Sequence, residues 1–228
     1  MQTSNVIDFK IKRSSKPNNS FRVASVMGTF DLQDIQIEES FEGSLELPND
    51  WQIGAIIGNS GTGKTTIAKE LFPKAYVTNF EYNSDNILDD MPKSATVSDI
   101  TQMFNSVGFS SPPSWLKPYA VLSNGQKMRV DLANALLRGE ELIVFDEFTS
   151  VVDRTVAQIG SFAVQKSIRK TDKKFIAVSC HFDIIEWLMP DWIFNTNDMT
   201  FQVMSKKKTR FTNRDFQNKR FKSLELVF

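Results

Sequence analysis

Eight residues near the first third of the chain, GNSGTGKT at 58 to 65, combine three glycines with a lysine and a threonine in the pattern G-x-x-x-x-G-K-T. Glycines let a loop take backbone conformations that aim successive amides inward, and the start of a following helix adds a positive end. Such a nest suits a chain of phosphates. Gly58, Asn59, Ser60, Gly61, Thr62 and Gly63 would line it, with Lys64 neutralising the outer phosphates. Thr65 offers a hydroxyl to Mg²⁺, a hard cation that takes oxygen ligands, and Thr66 closes the loop. The spacing therefore points to a nucleoside triphosphate, with ATP and Mg²⁺ as the expected cofactors. A second acidic element follows in LIVFDE, where Asp146 and Glu147 end an apolar run. Strand ends are where open α/β sheets bind ligands, so Asp146 is expected to hold the metal through water and Glu147 to activate an attacking water. The plainer alternative is an acidic pair that starts the next helix.

Further motifs extend the pattern. LSNGQ at 122 to 126 precedes a helix-like run and stands 20 residues before Asp146. Here the chain resembles the ABC ATPase superfamily: Leu122, Ser123, Gly125 and Gln126 match its LSGGQ signature, Asn124 replaces a glycine, and Arg129 matches the basic residue that follows. TSVVD at 149 to 153 resembles the family's D-loop, with Asp153 at its aspartate. His181, the single histidine, resembles its switch histidine. The resemblance implies that Ser123 and its neighbouring amides complete the ATP site of a second subunit, hence a homodimer in the ATP-bound state. His181 also follows the strand-like FIAVSC, which would bring it out at the same sheet edge as Glu147. The runs LSNGQKMRVDLANALLRG, DEFTSVVDR and SCHFDIIEWLMPDW are similar to a soluble branch in which the ABC ATPase is fused to an acetyltransferase-like domain.

Two family features are missing or ambiguous. Lys64 and Ser123 are 59 residues apart, fewer than transporter-type members place there, and no glutamine occurs between Thr65 and Ile100, where the family has its Q-loop glutamine. Asn86, Asp89 or Asp90 could supply the missing oxygen. Phe30 and Phe41 are the candidates for stacking on adenine, although either could be a core residue.

The elements that must position these residues read as an α/β fold of the P-loop NTPase type: a mostly parallel sheet flanked by helices, an N-terminal antiparallel β part and a reduced helical subdomain. The first 20 residues read as polar loop, FRVASVMGTF (21 to 30), DLQDIQIEE and SLEL as short antiparallel strands, and IGAII as a buried strand. TTIAKELF reads as a helix ended by Pro73, and 83 to 140 as the helical insert. Then come strand LIVFDE, helix TVAQIGSFAVQKSIRK, strand FIAVSC and a strand pair between Trp192 and Val203. Residues 1 to 205 form one ATP-binding domain in this reading, followed by a basic tail at 206 to 228.

Composition agrees with a folded chain: 228 residues, 41% apolar and 24% charged. One cysteine excludes an intrachain disulfide, and Cys180 with His181 cannot fill a tetrahedral metal site. No apolar run is long enough to span a bilayer, so the cytoplasm is the expected location and any membrane span belongs to another chain. The net charge of zero hides an asymmetry, because the tail holds 8 basic and 2 acidic residues and the rest holds 19 against 25. Phe211, Phe216, Phe221 and Phe228 interleave with those charges, which suits nucleic acid, an acidic surface or a partner groove. The expected activity is Mg-ATP hydrolysis that drives a change in an unknown protein client. The rival readings are the ATP-hydrolysing subunit of a transporter and a nucleic-acid-acting ABC ATPase.

Overall fold

The computed structural model describes residues 5–16, 18, 20–32, 37–77 and 80–204. The basic tail and its four phenylalanines lie outside the described residues. In chain order the elements are β1 (Asn5–Ser15), α1 (Phe21–Thr29), β2 (Ile37–Leu47), β3 (Ile53–Ile57), α2 (Lys64–Leu71), β4 (Tyr76–Val77), α3 (Val97–Ser106) and α4 (Pro112–Trp115). They continue with α5 (Asn124–Leu137), β5 (Leu142–Phe145), α6 (Arg154–Ile168), β6 (Lys174–Ser179), α7 (Ile184–Leu188), β7 (Trp192–Asn195) and β8 (Thr200–Val203).

Six strands form one sheet in the order β4-β5-β6-β3-β7-β8, parallel throughout except for β8, which returns antiparallel to β7. β3 lies inside it, and all five of its residues are buried. That burial on both faces explains the unbroken apolar run IGAII. Alternate residues then divide the core in two. Ala55, Ile57, Ile143, Phe175 and Ala177 face α5, α6 and the helices between β4 and β5. Ile56, Val144, Ile176 and Val178 face α2 and the β1–β2 pair, where they meet Ile67, Phe9 and Leu45. At Gly54 the indole of its cross-strand partner Trp192 lies where a Cβ would stand, 2.1 Å away.

The N-terminal part differs from the sequence expectation. A strand already stands ahead of Phe21, because β1 pairs antiparallel with β2 from Asn5↔Leu47 to Ser15↔Ile37. Its lysines and arginine sit on the solvent side while Phe9 and Ile11 are buried, so a half-exposed strand reads as polar loop when only composition is weighed. FRVASVMGT is a helix rather than a strand. Ser20 caps it by accepting from the Val23 amide at 3.3 Å, and it pairs with neither β1 nor β2, which form a two-stranded sheet. None of its residues is buried.

One carboxylate ties the sheet's lower end to its cover. Asp191 Oδ2 accepts from the amides of Gln52 (2.8 Å) and Ile53 (3.0 Å) and from the Arg169 guanidinium (2.7 Å), joining the starts of β3 and β7 to the end of α6. Burial alone would raise its pKa, but Arg169 and the two amides together hold it below the usual carboxylate range. A depressed pKa contributes stability above the unfolded value and loses it as pH falls through the folded one. Asp191→Asn should therefore cost about 2 kcal/mol at neutral pH. In urea unfolding, its gap to wild type should narrow as the pH drops below about 4.

Candidate nucleotide site

Three loops meet at the carboxyl edge of neighbouring strands β5, β6 and β3, the place where parallel sheets leave room for ligands. The loop after β3 runs through Gly58, Gly61 and Gly63, with φ of +154°, +83° and +85°. At Gly63 a Cβ would lie 2.4 Å from the Phe41 ring, so both its handedness and the close approach require glycine. At Gly61 nothing stands within 4 Å, which leaves the mouth of the loop open. Lys64 is 8% exposed, and its ammonium donates to the Asn59 carbonyl at 2.7 Å. A nearly buried cation held only by a loop carbonyl is poised for an anion at the same place.

The loop is braced from behind. Asn59 N donates to Asn197 Oδ1 at 2.8 Å, Thr62 and Thr196 share a hydroxyl contact at 2.5 Å, and Thr196 also donates to the Ile57 carbonyl at 3.1 Å. The Asn59 carbonyl, 2.9 Å from the Thr62 hydroxyl, competes with Thr196 for that hydroxyl's one proton. Sequence spacing missed Thr196 and Asn197, which lie 134 positions beyond Thr62 and 138 beyond Asn59. Ser60 is exposed, while Thr65 and Thr66 sit half-buried in the first turn of α2.

Asp146, just past the end of β5, accepts from Thr65 Oγ1 at 2.9 Å on one oxygen and from the Glu147 amide at 2.9 Å on the other. Tyr76 donates its hydroxyl to the same oxygen as Thr65. Burial first, then that bond and the charges of Asp146 and Glu147, raise the Tyr76 pKa beyond the usual range, so the phenol keeps its proton. A hydroxyl and a carboxylate in contact beside a phosphate-type loop fit Mg²⁺: all donors are oxygens, and too few to displace its waters and the phosphates. Glu147 is exposed and carries φ +50°, while Thr149 two residues on has φ +67° and a buried hydroxyl without a partner. Strained backbone at two non-glycine positions turns the chain sharply after β5.

His181 follows β6, its amide donating to Ser179 Oγ at 3.1 Å and its buried Nδ1 lacking a protein partner. Phe148 N donates to the Val178 carbonyl at 2.8 Å, so the loops carrying Glu147 and His181 lie side by side. Cys180 is half-buried, 3.9 Å from the Ser150 hydroxyl.

The signature residues stand apart from this cluster. Ser123 caps α5 by accepting from Gln126 N at 3.3 Å, and Gln126 Oε1 accepts from Ser123 N at 3.0 Å, a reciprocal capping box. Ser123 and Asn124 are exposed, and Gly125 lies against Val156 of α6. Among the described residues no hydrogen bond joins 123–126 to 58–66 within the chain. Asp153 caps α6 through Val156 N at 3.0 Å. Of the residues considered for the missing glutamine, Asn86 and Asp89 bond each other and Asp90 accepts from the amides of Asn83 and Ser84, so all three are engaged in one local turn. Phe41 lies against the phosphate-type loop, whereas Phe30 is 69% exposed beside α1.

The fold and this edge define a P-loop ATPase. The model of the ATPase family associated with various cellular activities (AAA) matches residues 55–187, more than half of the chain, and the chain belongs to that family. The order of its motifs, GNSGTGKT, LSNGQ, LIVFDE and TSVVD, resembles that of the ABC ATPase superfamily. The chain is 36% identical over 84 residues to the energy-coupling factor transporter ATP-binding protein EcfA1 of Lactobacillus gasseri, covering 37% of this chain and 27% of that protein. It is 26% identical over 202 residues to the EcfA1 of Listeria innocua, 71% of this chain and 70% of that one. Among solved structures, the dimeric post-hydrolysis ATP-binding cassette MJ0796 with ADP and Pi matches with a TM-score of 0.64 at 14% identity, over 89% of this chain and 100% of that chain. That likeness is one of fold.

Gly63→Ala should strain the left-handed turn and press on Phe41, costing about 2 kcal/mol of stability. Titration with a fluorescent ATP analogue should show affinity lower by about tenfold or more. Shrinking the ring as well, with Phe41→Ala, should relieve the contact but not the backbone strain.

Proposed function

We propose that two copies of this chain enclose two Mg-ATP molecules, each between the P-loop of one copy and the 123–126 helix start of the other, and that hydrolysis opens the pair and moves a partner protein. The observation that carries this reading is the separation just described: a phosphate loop and an exposed helix N-terminus, capped by Ser123, that make no hydrogen bond to each other within the chain. Helix starts attract anions. In this reading the amides of 58–66 and Lys64 hold the β- and γ-phosphates, and the opposite Ser123, Asn124, Gly125 and Gln126 cover the γ-phosphate. Thr65 and Asp146 would hold Mg²⁺, which when bound offsets charge on the phosphates. Glu147 accepts a proton from the water aligned for in-line attack, and His181 contacts the γ-phosphoryl oxygens. Asp153 places the loop that faces the second copy.

A partner in a membrane is the second reading, favoured by similarity to EcfA1 over 70% of that protein's length. Among the described residues no helix is long and apolar enough to cross a membrane. Against this reading stand the short interval before Ser123 and the absent glutamine. Co-purification of a membrane-embedded chain with Glu147→Gln in ATP would favour it, and recovery of water-soluble clients alone would favour the first.

Glu147→Gln should slow turnover by about 10² to 10⁴ with ATP binding retained. It should also accumulate an ATP-dependent dimer in sedimentation. Shared ownership of the site has a sharper test. Lys64→Ala and Ser123→Arg should each be inactive, while an equal mixture should regain roughly a quarter of wild-type turnover, since each mixed dimer keeps one undamaged site. A mixture as inactive as its components would reject the shared site.

A further inference from the structure

The chain has three tyrosines, and all three donate their hydroxyls to aspartate carboxylates: Tyr76 to Asp146, and Tyr82 and Tyr119 to the two oxygens of Asp131, each at 2.8 Å. The Asp131 pair is a buried structural knot. The two rings stack at 4.0 Å and fix the segment after β4 onto α5. Tyr76 is different because its acceptor belongs to the nucleotide site.

The sheet register explains how it gets there. β4 pairs parallel with β5, Tyr76 opposite Val144, and Asp146 lies two positions further on, on the same face of the strand. A carboxylate offers about four lone-pair sites. In Asp146, Thr65 and Tyr76 take both on one oxygen and the Glu147 amide takes one on the other. One site is left for a water of a metal's shell. Carboxylate torsions are soft, so donors from two different elements are what hold this group in a single orientation.

We propose that Tyr76 is a positioning residue for Mg²⁺: its hydroxyl fixes the Asp146 carboxylate so that the remaining lone pair meets the ion's water shell. Resting on the Mg-ATP reading above, this assigns to β4 the connection with the metal site that none of Asn86, Asp89 and Asp90 makes. The same short strand leads to Phe80 and Tyr82, and a cavity of about 310 Å³ lined by Val77, Phe80, Tyr119, Asp131, Phe145 and Asp146 separates the two aspartates.

The test is Mn²⁺ binding to the full chain with a non-hydrolysable ATP analogue, followed by electron paramagnetic resonance, for wild type, Tyr76→Phe and Tyr82→Phe. Tyr76→Phe keeps the ring and should melt within a few degrees of wild type. It should bind Mn²⁺ about tenfold more weakly, with metal-free nucleotide affinity unchanged. Turnover should return toward wild type at saturating Mg²⁺. Tyr82→Phe removes a tyrosine-to-aspartate hydrogen bond away from Asp146 and should leave Mn²⁺ affinity within about twofold. If Tyr76→Phe also stays within twofold, or both variants weaken alike, the positioning role is overturned. If wild type itself takes up no Mn²⁺ with the analogue, the nucleotide-site reading fails first.

Discussion

β3 is buried on both faces in the interior of the sheet, and its end sets the position of everything that could meet a nucleotide. With β6 on one side and β7 on the other, its register is fixed twice. A slip of one residue would exchange the two faces of the core, setting Ile56 among the residues that meet α5 and α6 and moving Ala55 and Ile57 to α2. Because Gly58 begins where that constraint ends, the phosphate-type loop is held by the core and braced by Thr196 and Asn197. Bracing of this kind lowers the cost of binding a multiply charged molecule, because less of the loop has to be ordered when it arrives.

The same register brings carboxylate chemistry to the loop. β5 and β6 run beside β3 in the same direction, so Asp146 and Glu147 come out at the level of Thr65, and His181 emerges next to them. The strain at Glu147 and Thr149 follows from the abrupt exit after β5. A carboxylate on a sharply turned, exposed segment can be reoriented at small cost, whereas Asp146, one residue earlier, is gripped by three donors. Neighbouring acids thus differ in freedom as well as in the roles that sequence order suggested.

Local patterns were legible before the structure. GNSGTGKT and LIVFDE carry their chemistry in contiguous residues, and the helix after LIVFDE follows 3.6-residue spacing, as the burial of Ala157, Gly160, Val164 and Ile168 bears out. What sequence could not reveal was set by distant partners. Tyr76 became part of the site through one strand register, and nothing in AYVTNF marks it. Thr196 and Asn197 sit in an ordinary turn and matter only because β7 lies against β3. FRVASVMGTF alternates patchily, as a half-exposed strand would, but none of its residues is buried, so no core face enforces a period of two and the Ser20 cap starts a helix instead. The polar start became a strand because its charged residues face water while Phe9 and Ile11 face Leu45, a distinction that composition averages away.

The excursion carrying α1 leaves the hairpin between Ser15 and Ile37, whose backbones are already paired, and none of its helical residues enters the core. Its ends are held together by the ladder regardless of what lies between. That stretch can consequently change in length and composition at little cost to the ladder, and because Phe41, four residues past Ile37, lies against Gly63, a fluorophore grafted there would report from the side of the phosphate-type loop.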